Sequence, residues 1–413
     1  RYACDGLKYQ RLDVPYIKKE NSFKKISWTD ALQILKNKIN MTKPEKIAGL
    51  TGDLTNMETL FACKELFQKV LKSKNLESRE KNIYINLNDR KNYLFNSKIK
   101  GIEKSDLILL IGTNPRYEAT MLNARIRKSF LKNNTEIFSL EDYGDLTYNY
   151  KVLSNTTEEI KKIIENNSDI SIKIKNAKYP LVIFGESALT LNSSKYMFEG
   201  FKKFLNENNK ITEEWNSLNI LSTNASAVGS YELDIVCKTN ETLEKINKNF
   251  FEIIFLIGQD NILINKKNEF IVYIGSHGDR GAETADLVLP GAAFTEQNGY
   301  FTNLEGKLQM AFKASYPPGE AKEDWIIINE ISKLIDGNKL FEDKNELLNA
   351  MNSHINSNKK NEFSNLFKEE YINEKILTLP VDYYHSNVIA RSSKTMNECR
   401  DIRTKLIKTG TDG

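Results

Sequence analysis

One pattern constrains the fold of this chain most: a short apolar run that ends in glycine and is followed by a helical repeat. The strongest example is the run DLILLIG at 106–112, followed by the turn at 113–115 and a helical stretch from Tyr117 to Leu131. Continuous apolar runs of this kind are typical of parallel strands that helices cover on both faces. Similar runs occupy 181–185, 251–258 and 270–275. Repeated strand–turn–helix units predict an α/β fold with parallel sheets flanked by helices in two Rossmann-like domains.

The first unit begins with an apolar run at 46–53, and a helix is predicted from about Thr55. Its apolar residues recur at three- and four-residue spacing, as expected for one buried helix face: Met57, Leu60, Phe61, Phe67, Val70 and Leu71. Thr55 or Asn56 is the predicted N-cap, because both residue types accept a hydrogen bond from a free helix amide. Glu58 and Glu65 are predicted to lie on the solvated side.

Changes in composition divide the chain into four parts. Three Asn- and Lys-rich stretches, at 155–176, 202–210 and 238–249, are predicted to be solvated linking segments, the first of them marking a domain boundary. The first contains a charged amphipathic helix with Ile160, Ile163 and Ile164 on its inner side. After Pro317-Pro318-Gly319 a single amphipathic helix is predicted over 320–335, and the chain then becomes polar and weakly periodic. The predicted parts are a lead-in at 1–45, a first α/β domain at 46–154, a second at 177–315 that could interleave with the first, and a C-terminal helix with an irregular, extended tail at 316–413.

Charge and hydropathy exclude some classes of partner. The net charge is +4 over 413 residues, which does not favour binding to nucleic acid or to an anionic membrane surface. The apolar runs are far shorter than the roughly 18 residues that span a bilayer, so no direct membrane insertion is expected.

The cysteines and histidines are few and scattered. Cysteines occupy positions 4, 63, 237 and 399, and histidines occupy positions 277, 354 and 385. No Cys-x-x-Cys pair exists from which an iron–sulfur cluster or a zinc site could be built locally. A metal site assembled from distant residues is the alternative to the simpler interpretation, which is inert or buried thiols in a reducing compartment.

The turns after the strands are the candidate ligand-binding positions, because ligands of open α/β sheets bind at the carboxyl ends of strands. No turn carries a Gly-x-Gly-x-x-Gly dinucleotide loop or a Walker phosphate loop. The stretch 275–309, with six glycines and a Pro-Gly turn, suggests a backbone held close to a ligand or to another segment. His277 and Asp279 in it could form an acid–base pair, or could instead satisfy the backbone groups of their own turn.

Three arginines stand out in a chain whose basic residues are mostly lysine. Arg116, Arg125 and Arg127 follow the turn at 112–115. They could grip a phosphate or a carboxylate on a neighbouring chain, since guanidinium groups bind both in a bidentate manner. The alternative is a solvated helix face.

The segment 275–309 resembles the strand-end motif of molybdopterin oxidoreductases. In that superfamily a Thr/Ala-Asp-x-Val-Leu-Pro run leads to a Glu and then to Asn-x-Glu-Gly-x-x-Gln. Here the corresponding residues are 284–290, Glu296 and 303–309. Gly112 to Pro115 would match the loop that holds the pterin nucleotide.

A narrower resemblance is to the large iron–sulfur subunits of respiratory complex I. It rests on four segments, at 2–12, 112–127, 317–325 and 382–399, and so covers nearly the whole chain. The resemblance implies a molybdopterin oxidoreductase-like fold without the final β-barrel domain. It also implies a structural role in the peripheral arm of NADH:ubiquinone oxidoreductase, on the matrix side of the mitochondrial inner membrane.

The same resemblance implies where the cofactors lie. The family carries one two-iron and two four-iron clusters in an N-terminal region whose cysteine motifs are missing here. That region, as a separate chain or as residues before Arg1, is expected to pack near Arg1–Tyr16, and other peripheral-arm subunits are expected as partners. No catalytic, cofactor-binding or metal-binding residue is expected in this chain. The loops of a vestigial pocket are Gly112, Thr113, Asn114, Pro115, Arg116, Gly275, Ser276, His277 and Asp279.

A second hypothesis is an active molybdopterin-dependent oxidoreductase fragment. Such an enzyme needs a Ser, Cys or selenocysteine ligand for its metal in a glycine-rich loop. Cys4 precedes the α/β body, while Cys63 and Cys237 lie in helix-like and linker contexts, so none is a convincing ligand.

Overall fold

The computed structural model describes residues 2–20, 22–236, 241–357 and 370–409. In chain order the strands are β1 (Tyr16–Lys19), β2 (Ser22–Lys25), β3 (Ile47–Thr51), β4 (Leu76–Glu77), β5 (Leu107–Ile111), β6 (Glu136–Ser139), β7 (Lys151–Val152), β8 (Pro180–Gly185), β9 (Leu218–Leu221), β10 (Ile253–Ile257), β11 (Phe270–Gly275), β12 (Leu287–Pro290), β13 (Gly299–Thr302) and β14 (Leu308–Ala311).

The α-helices are α1 (Trp28–Asn40), α2 (Met57–Glu65), α3 (Pro115–Glu118), α4 (Thr120–Asn133), α5 (Thr157–Ile164), α6 (Asp169–Asn176), α7 (Glu186–Leu189), α8 (Ser194–Glu207), α9 (Ala227–Glu232), α10 (Glu241–Asn247), α11 (Arg280–Thr284), α12 (Asp324–Asp336), α13 (Lys344–Ser357), α14 (Val388–Ser392) and α15 (Lys394–Thr409). Short 3-10 helices lie at Cys4–Lys8, Pro44–Lys46, Arg90–Asn92, Ile99–Lys104 and Tyr383–His385, and a π-helical turn at Leu66–Val70 extends α2.

Two sheets organise the described residues. The seven-stranded sheet has the order β2-β1-β12-β11-β10-β3-β4, in which β1 runs antiparallel to β2 and β12 and the other pairings are parallel. The five-stranded sheet has the order β7-β6-β5-β8-β9 and is parallel throughout. The central strands are buried along their whole length, as parallel strands covered on both faces must be. The predicted α/β fold with helix-flanked parallel sheets is confirmed.

The sheets are interleaved along the chain. Strand β10 pairs with β3, Ile253 opposite Ile47, although about two hundred residues separate them in sequence. All strands of the five-stranded sheet come from the intervening stretch 107–221. The ranges 46–154 and 177–315 therefore each supply strands to both sheets, and the lead-in 1–45 supplies β1 and β2. We call the two bodies the seven-stranded domain and the five-stranded domain.

The prediction of solvated linkers was wrong. The stretch 155–176 forms α5 and α6, which lie between β7 and β8 of the same sheet rather than at a domain boundary. Their inner faces are buried in the core of the five-stranded domain, through Ile160, Ile163, Ile170 and Ile174. The stretch 202–210 is the end of α8, and the described part of 238–249 is α10, which buries Leu243 and Ile246. The amphipathic helix predicted within 155–176, with Ile160, Ile163 and Ile164 on its inner side, is α5, and it is part of the domain core rather than of a linker.

Helix α2 begins where it was predicted to begin, but a side of it that was predicted to face solvent is buried. Asn56 is its N-cap, since its side chain accepts a hydrogen bond from the Thr59 amide at 2.9 Å. Glu58, however, is fully buried, and its carboxylate accepts a hydrogen bond from the Tyr300 amide at 2.8 Å. The placement of Glu58 on the solvated side was therefore wrong, because the hairpin β13–β14 packs over that face of α2. Burial raises the pKa of the Glu58 carboxyl.

The C-terminal region is more helical than predicted. The predicted helix over 320–335 appears as α12, which packs on α2 in the core of the seven-stranded domain. Beyond it α13 and α15 contain 14 and 16 residues, in a region predicted as an extended tail. The stretch 370–382 contains no helix, and Lys375 in it forms an isolated antiparallel β-bridge with Thr156.

Candidate functional site

A cavity of about 790 Å³ lies where the carboxyl ends of the two sheets face each other. Its floor includes Asp53 after β3, Glu118 at the end of α3 and Glu186 after β8. Thr223 and Asn224, which follow β9, line another side. The roof is the C-terminal segment 379–387. This is the position at which open α/β sheets bind ligands.

The loop after β5 binds a carboxylate of its own chain. Gly112 directly follows the strand and has a φ of +60°, a left-handed conformation that favours glycine. The Thr113 hydroxyl donates to the Glu118 carboxylate at 2.7 Å, and the Asn114 amide donates to the other oxygen of that carboxylate at 2.9 Å. Donors that could receive a phosphate are therefore already engaged by an internal anion. Burial raises the pKa of the Glu118 carboxyl, although these two hydrogen bonds oppose the effect.

Backbone packing leaves little room beside the strand ends. A Cβ atom at Gly185 would overlap the carbonyl oxygen of Gly112, which belongs to the neighbouring strand end. In the same way, a Cβ atom at Gly52 would overlap the carbonyl oxygen of Gly258, between β3 and β10. In each sheet, glycine thus allows two strand ends to touch each other directly at the point where a phosphate would otherwise approach.

The loop after β11 is filled by the N-terminal segment. The Leu12 amide donates to the Ser276 carbonyl at 3.1 Å, and the Gly278 amide donates to the Gln10 carbonyl at 2.6 Å. The His277 ring is fully buried, with Nε2 3.1 Å from the Gly6 carbonyl and Nδ1 2.8 Å from the Ser276 hydroxyl. Burial, and secondarily the charge of Arg11, lowers the pKa of His277 to about 4.

A buried ion pair fixes this arrangement. Arg11 donates to both oxygens of Glu296, at 2.5 and 2.6 Å, and these side chains are only 11% and 4% exposed. Arg11 also donates from Nε to the Ser276 carbonyl at 3.2 Å. The segment 6–12 therefore belongs structurally to the seven-stranded domain.

Carboxylic acids dominate the space between the strand ends. Burial, together with the charges of Glu80 and Glu186, raises the pKa of Asp53 to about 8. Asp53 Oδ1 has no hydrogen-bond partner among the described residues. Deeper in the seven-stranded domain, burial also raises the pKa of Asp260 to about 7, although Tyr273 donates a hydrogen bond to it. Lys81 also lines the cavity.

The predicted site residues fall into two separate groups. Gly112 to Arg116 lie at the carboxyl end of β5 in the five-stranded sheet, whereas Gly275 to Asp279 lie at the carboxyl end of β11 in the seven-stranded sheet. Neither group lines the large cavity, although Tyr117 and Glu118, directly after the first group, do. Gly275 and Ser276 border a smaller cavity of about 40 Å³ beneath α14.

The side chains of His277 and Asp279 have different partners. His277 binds Gly6 and Ser276, whereas Asp279 accepts a hydrogen bond from Arg391 at 2.5 Å. Neither interpretation describes these partners, because the two side chains contact the N-terminal segment, the Ser276 hydroxyl and α14 rather than each other or the backbone of their own turn.

The residues that line the cavity were not predicted from the sequence. Asp53 and Glu186 each follow directly a glycine at a strand end, Gly52 and Gly185. That position was a usable signal, because side chains after parallel strands meet at one edge of a sheet. The tail segment 379–387 carried no comparable signal.

The arginines that follow the turn at 112–115 pair within the chain. Arg116 lies 2.7 Å from the Asp145 carboxylate, and Arg125 pairs with Glu103. Arg127 is exposed on α4. The pairings of Arg116 and Arg125 favour the interpretation as a solvated helix face over binding to a phosphate or carboxylate of a neighbouring chain.

The cysteines differ in their surroundings. Cys63 is buried within α2, where burial raises its pKa, whereas Cys4 and Cys399 are exposed. Cys237 lies outside the described residues. Within the part of the chain that the structure describes, no group of three or more His, Cys, Asp or Glu side chains could hold a metal ion. No helix in that part is both long and apolar enough to cross a bilayer.

The fold and the cavity between the sheet ends define a class. The family model for molybdopterin oxidoreductases matches residues 11–334. The chain belongs to the molybdopterin oxidoreductase family.

Within that family the chain is similar to subunits of respiratory NADH dehydrogenases. It is 38% identical to the NADH-ubiquinone oxidoreductase 75 kDa subunit of Reclinomonas americana over 97% of its own length and 62% of the relative's. It is 35% identical to the mitochondrial NADH-ubiquinone oxidoreductase 78 kDa subunit of Neurospora crassa, over 99% of the chain and 58% of the relative. An NADH-quinone oxidoreductase subunit of Rickettsia conorii is 37% identical, over 98% of the chain and 60% of the relative. The chain thus spans about three fifths of these relatives. Both levels of the resemblance seen in the sequence are confirmed.

Solved structures support the fold alone. Acetylene hydratase from Pelobacter acetylenicus superposes with a TM-score of 0.51 at 12% identity, covering 94% of this chain and 71% of that one. A chain of the formyltransferase/hydrolase complex from Methylorubrum extorquens gives a TM-score of 0.54 at 12% identity, covering 78% of this chain and 99% of that one.

The family name implies a pterin nucleotide, whose phosphates are anionic, and the residues present do not fit it. The amide of Asn114 is already bonded to the Glu118 carboxylate, and the amide of Gly278 to the Gln10 carbonyl. The carboxyl groups of Asp53 and Glu186 line the cavity, and carboxylates there would repel an anionic phosphate when ionised. We therefore derive no chemical step through such a cofactor.

Proposed function

We propose that this chain is a structural, non-catalytic part of the peripheral arm of a proton-pumping NADH:ubiquinone oxidoreductase. In this role it supports electron transfer from NADH to ubiquinone, which clusters in another region or a separate chain carry out. Its place would be the matrix side of the mitochondrial inner membrane, among other peripheral-arm subunits.

The observation that carries this proposal is the engagement of both strand-end loops by the chain itself. The Gly112 loop binds Glu118, and the Gly275 loop binds the segment 6–12. The chain keeps the family's fold, but its own carboxylate and backbone groups occupy the positions where a cofactor's phosphates would bind. This arrangement supports a structural role rather than a catalytic one. Similarity to complex I subunits over almost the whole chain supports the assembly named.

Metal analysis of the assembled complex tests the proposal against the enzyme alternative. The complex is purified through a tag on this chain, and molybdenum, tungsten and iron are measured with released pterin nucleotide. We expect iron from clusters, with molybdenum and tungsten far below one atom per chain. About one molybdenum or tungsten atom per chain, together with a pterin nucleotide, would establish the active-enzyme alternative.

The expected cluster-bearing partner is tested by cross-linking. We propose that it packs near Arg1–Tyr16, where Lys8 is exposed. An amine-reactive cross-linker should join Lys8 to a cysteine-rich, cluster-binding segment. Lys132, exposed on α4 of the five-stranded domain, is the matched control and should not give that product. Equal cross-linking from both lysines, or none from Lys8, would contradict this placement.

A further inference from the structure

The C-terminal segment 370–393 runs from one domain to the other across the mouth of the cavity. We propose that it is a strap that holds the two domains closed over the acidic cavity, in the mechanical role that a bound ligand has in other two-domain proteins. The proposal does not depend on which assembly contains the chain.

The first anchor of the strap lies on the five-stranded domain. The Ile376 amide donates to the Asn155 carbonyl at 2.7 Å, and the Thr157 amide donates to the Glu374 carbonyl at 2.9 Å. The Thr157 hydroxyl donates in turn to the Ile372 carbonyl at 3.0 Å. The Ile376 side chain is fully buried in the same core as α5 and α6. Paired backbone and an inserted apolar side chain make this anchor an integral part of that domain.

Side chains extend this anchor toward the cavity. The Glu374 carboxylate accepts hydrogen bonds from the Ser193 amide and the Asn192 side chain, both at 2.9 Å. Further along, the Leu379 amide donates to the Ser187 hydroxyl at 3.0 Å. Ser187 directly follows Glu186 of the cavity floor, so the strap reaches the cavity while still held by the five-stranded domain.

The second anchor lies on the seven-stranded domain and is ionic. Arg391 of α14 donates from Nε to the Asp279 carboxylate at 2.5 Å, and the two side chains are 11% and 15% exposed. The Ser392 hydroxyl donates to the Gln10 side chain at 3.0 Å. Helix α14 packs so tightly on the N-terminal segment that a Cβ atom at Gly6 would overlap the Ile389 carbonyl oxygen.

Between the anchors the strap covers the cavity. Residues 379–387 line it opposite Asp53 and Glu186, and they include the aromatic rings of Tyr383 and Tyr384. In two-domain proteins a ligand that touches both domains favours the closed arrangement. Here the strap makes contacts to both domains within one covalent segment, so closure needs no ligand.

The test compares two arginines, one in the strap and one outside it, in the full chain within its native assembly. Arg391→Ala removes the ionic anchor. The control Arg125→Ala removes a pair with Glu103 that lies within the five-stranded domain and outside the strap. Amide exchange of residues 379–393 is followed by mass spectrometry. A pair of spin-labelled unnatural amino acids at Asn40 and Lys132, one in each domain, reports the inter-domain distance.

We expect Arg391→Ala to speed amide exchange in 379–393 about tenfold or more, the factor that corresponds to about 1.4 kcal/mol. The inter-domain distance distribution should broaden toward longer values, while Arg125→Ala leaves both measurements unchanged. Faster exchange with an unchanged distance distribution would overturn the proposal, as would unchanged exchange. If Arg391→Ala does not fold, Glu374→Gln at the first anchor tests the same two readouts with the same overturning outcomes.

Discussion

The pair formed by Arg11 and Glu296 gives the sharpest test of how the N-terminal segment is held. Arg11→Met keeps most of the apolar stem and removes the charge. Glu296 is only 4% exposed, so its carboxylate would be left buried and unpaired, accepting only the Ala293 amide at 3.0 Å. Removing one member of a buried ion pair costs about 3–5 kcal/mol. That is a large fraction of the roughly 5–15 kcal/mol by which domains are stable.

The assay is urea unfolding of the full chain, followed by circular dichroism. Arg11→Met is compared with the double variant Arg11→Met, Glu296→Gln, which removes the stranded charge yet keeps an acceptor for Ala293. We expect the double variant to recover much of the loss. The control Arg400→Ala breaks a pair whose side chains are 45% and 40% exposed, and it should cost no more than about 1 kcal/mol. A loss below about 1 kcal/mol for Arg11→Met, or no recovery in the double variant, would refute the reasoning.

Three further predictions concern packing and pH. Gly52→Ala should lower the free energy of unfolding by about 1–3 kcal/mol, because its Cβ atom would overlap the backbone of Gly258. Gly278→Ala, whose Cβ atom would lie 3.7 Å from its nearest neighbour, should change that free energy by no more than about 0.5 kcal/mol. Equal losses in the two variants, measured by urea unfolding, would contradict the packing argument. The folded chain keeps a proton on Asp53 up to its pKa of about 8, while the unfolded chain loses it above the ordinary value of 3.8. The free energy of unfolding should therefore fall as the pH rises through this window. The urea midpoint of Asp53→Asn should rise relative to that of the parent chain over the same window, and a difference between the two midpoints that does not change with pH would contradict the prediction. The pKa of His277 is lowered to about 4 in the folded chain, so between pH 6.5 and 4 only the unfolded chain binds the proton and the free energy of unfolding should fall as the pH falls. His277→Gln should lose less stability than the parent chain over that range. An identical decline in both chains would show that another group is responsible.

The sequence predicted the strands well where each is a continuous apolar run. The runs at 106–112 and 270–275 are β5 and β11, because a strand buried on both faces must be apolar at every position. It could not assign strands to sheets, since the pairing of Ile253 with Ile47 depends on contacts between distant segments. The isoleucine spacing at 160–164 predicted the helix α5, but not that it packs into the domain core. Helix α6 was missed, because it buries only two isoleucines, Ile170 and Ile174, within a polar stretch.

For the candidate site, the sequence found the strand-end loops but not what fills them. Glycine at positions 112 and 275 signals a turn, yet nothing local shows that Glu118 or Gln10 supplies the bonding partner. The roof over the cavity is equally invisible, because the segment 379–387 meets Asp53 only through the tertiary fold.

The interleaving of the two sheets has a consequence for how the chain is made. A ribosome releases residues 107–221 before β10 exists, so the five-stranded sheet has all its strands while the seven-stranded sheet has only β1 to β4. We expect the five-stranded domain to fold during synthesis, whereas the seven-stranded domain can fold only after β10, β11 and β12 have been made. Until then α2, with its apolar surface, has no complete sheet to cover it. This chain thus has an aggregation-prone interval during synthesis that is set by the distance between β4 and β10.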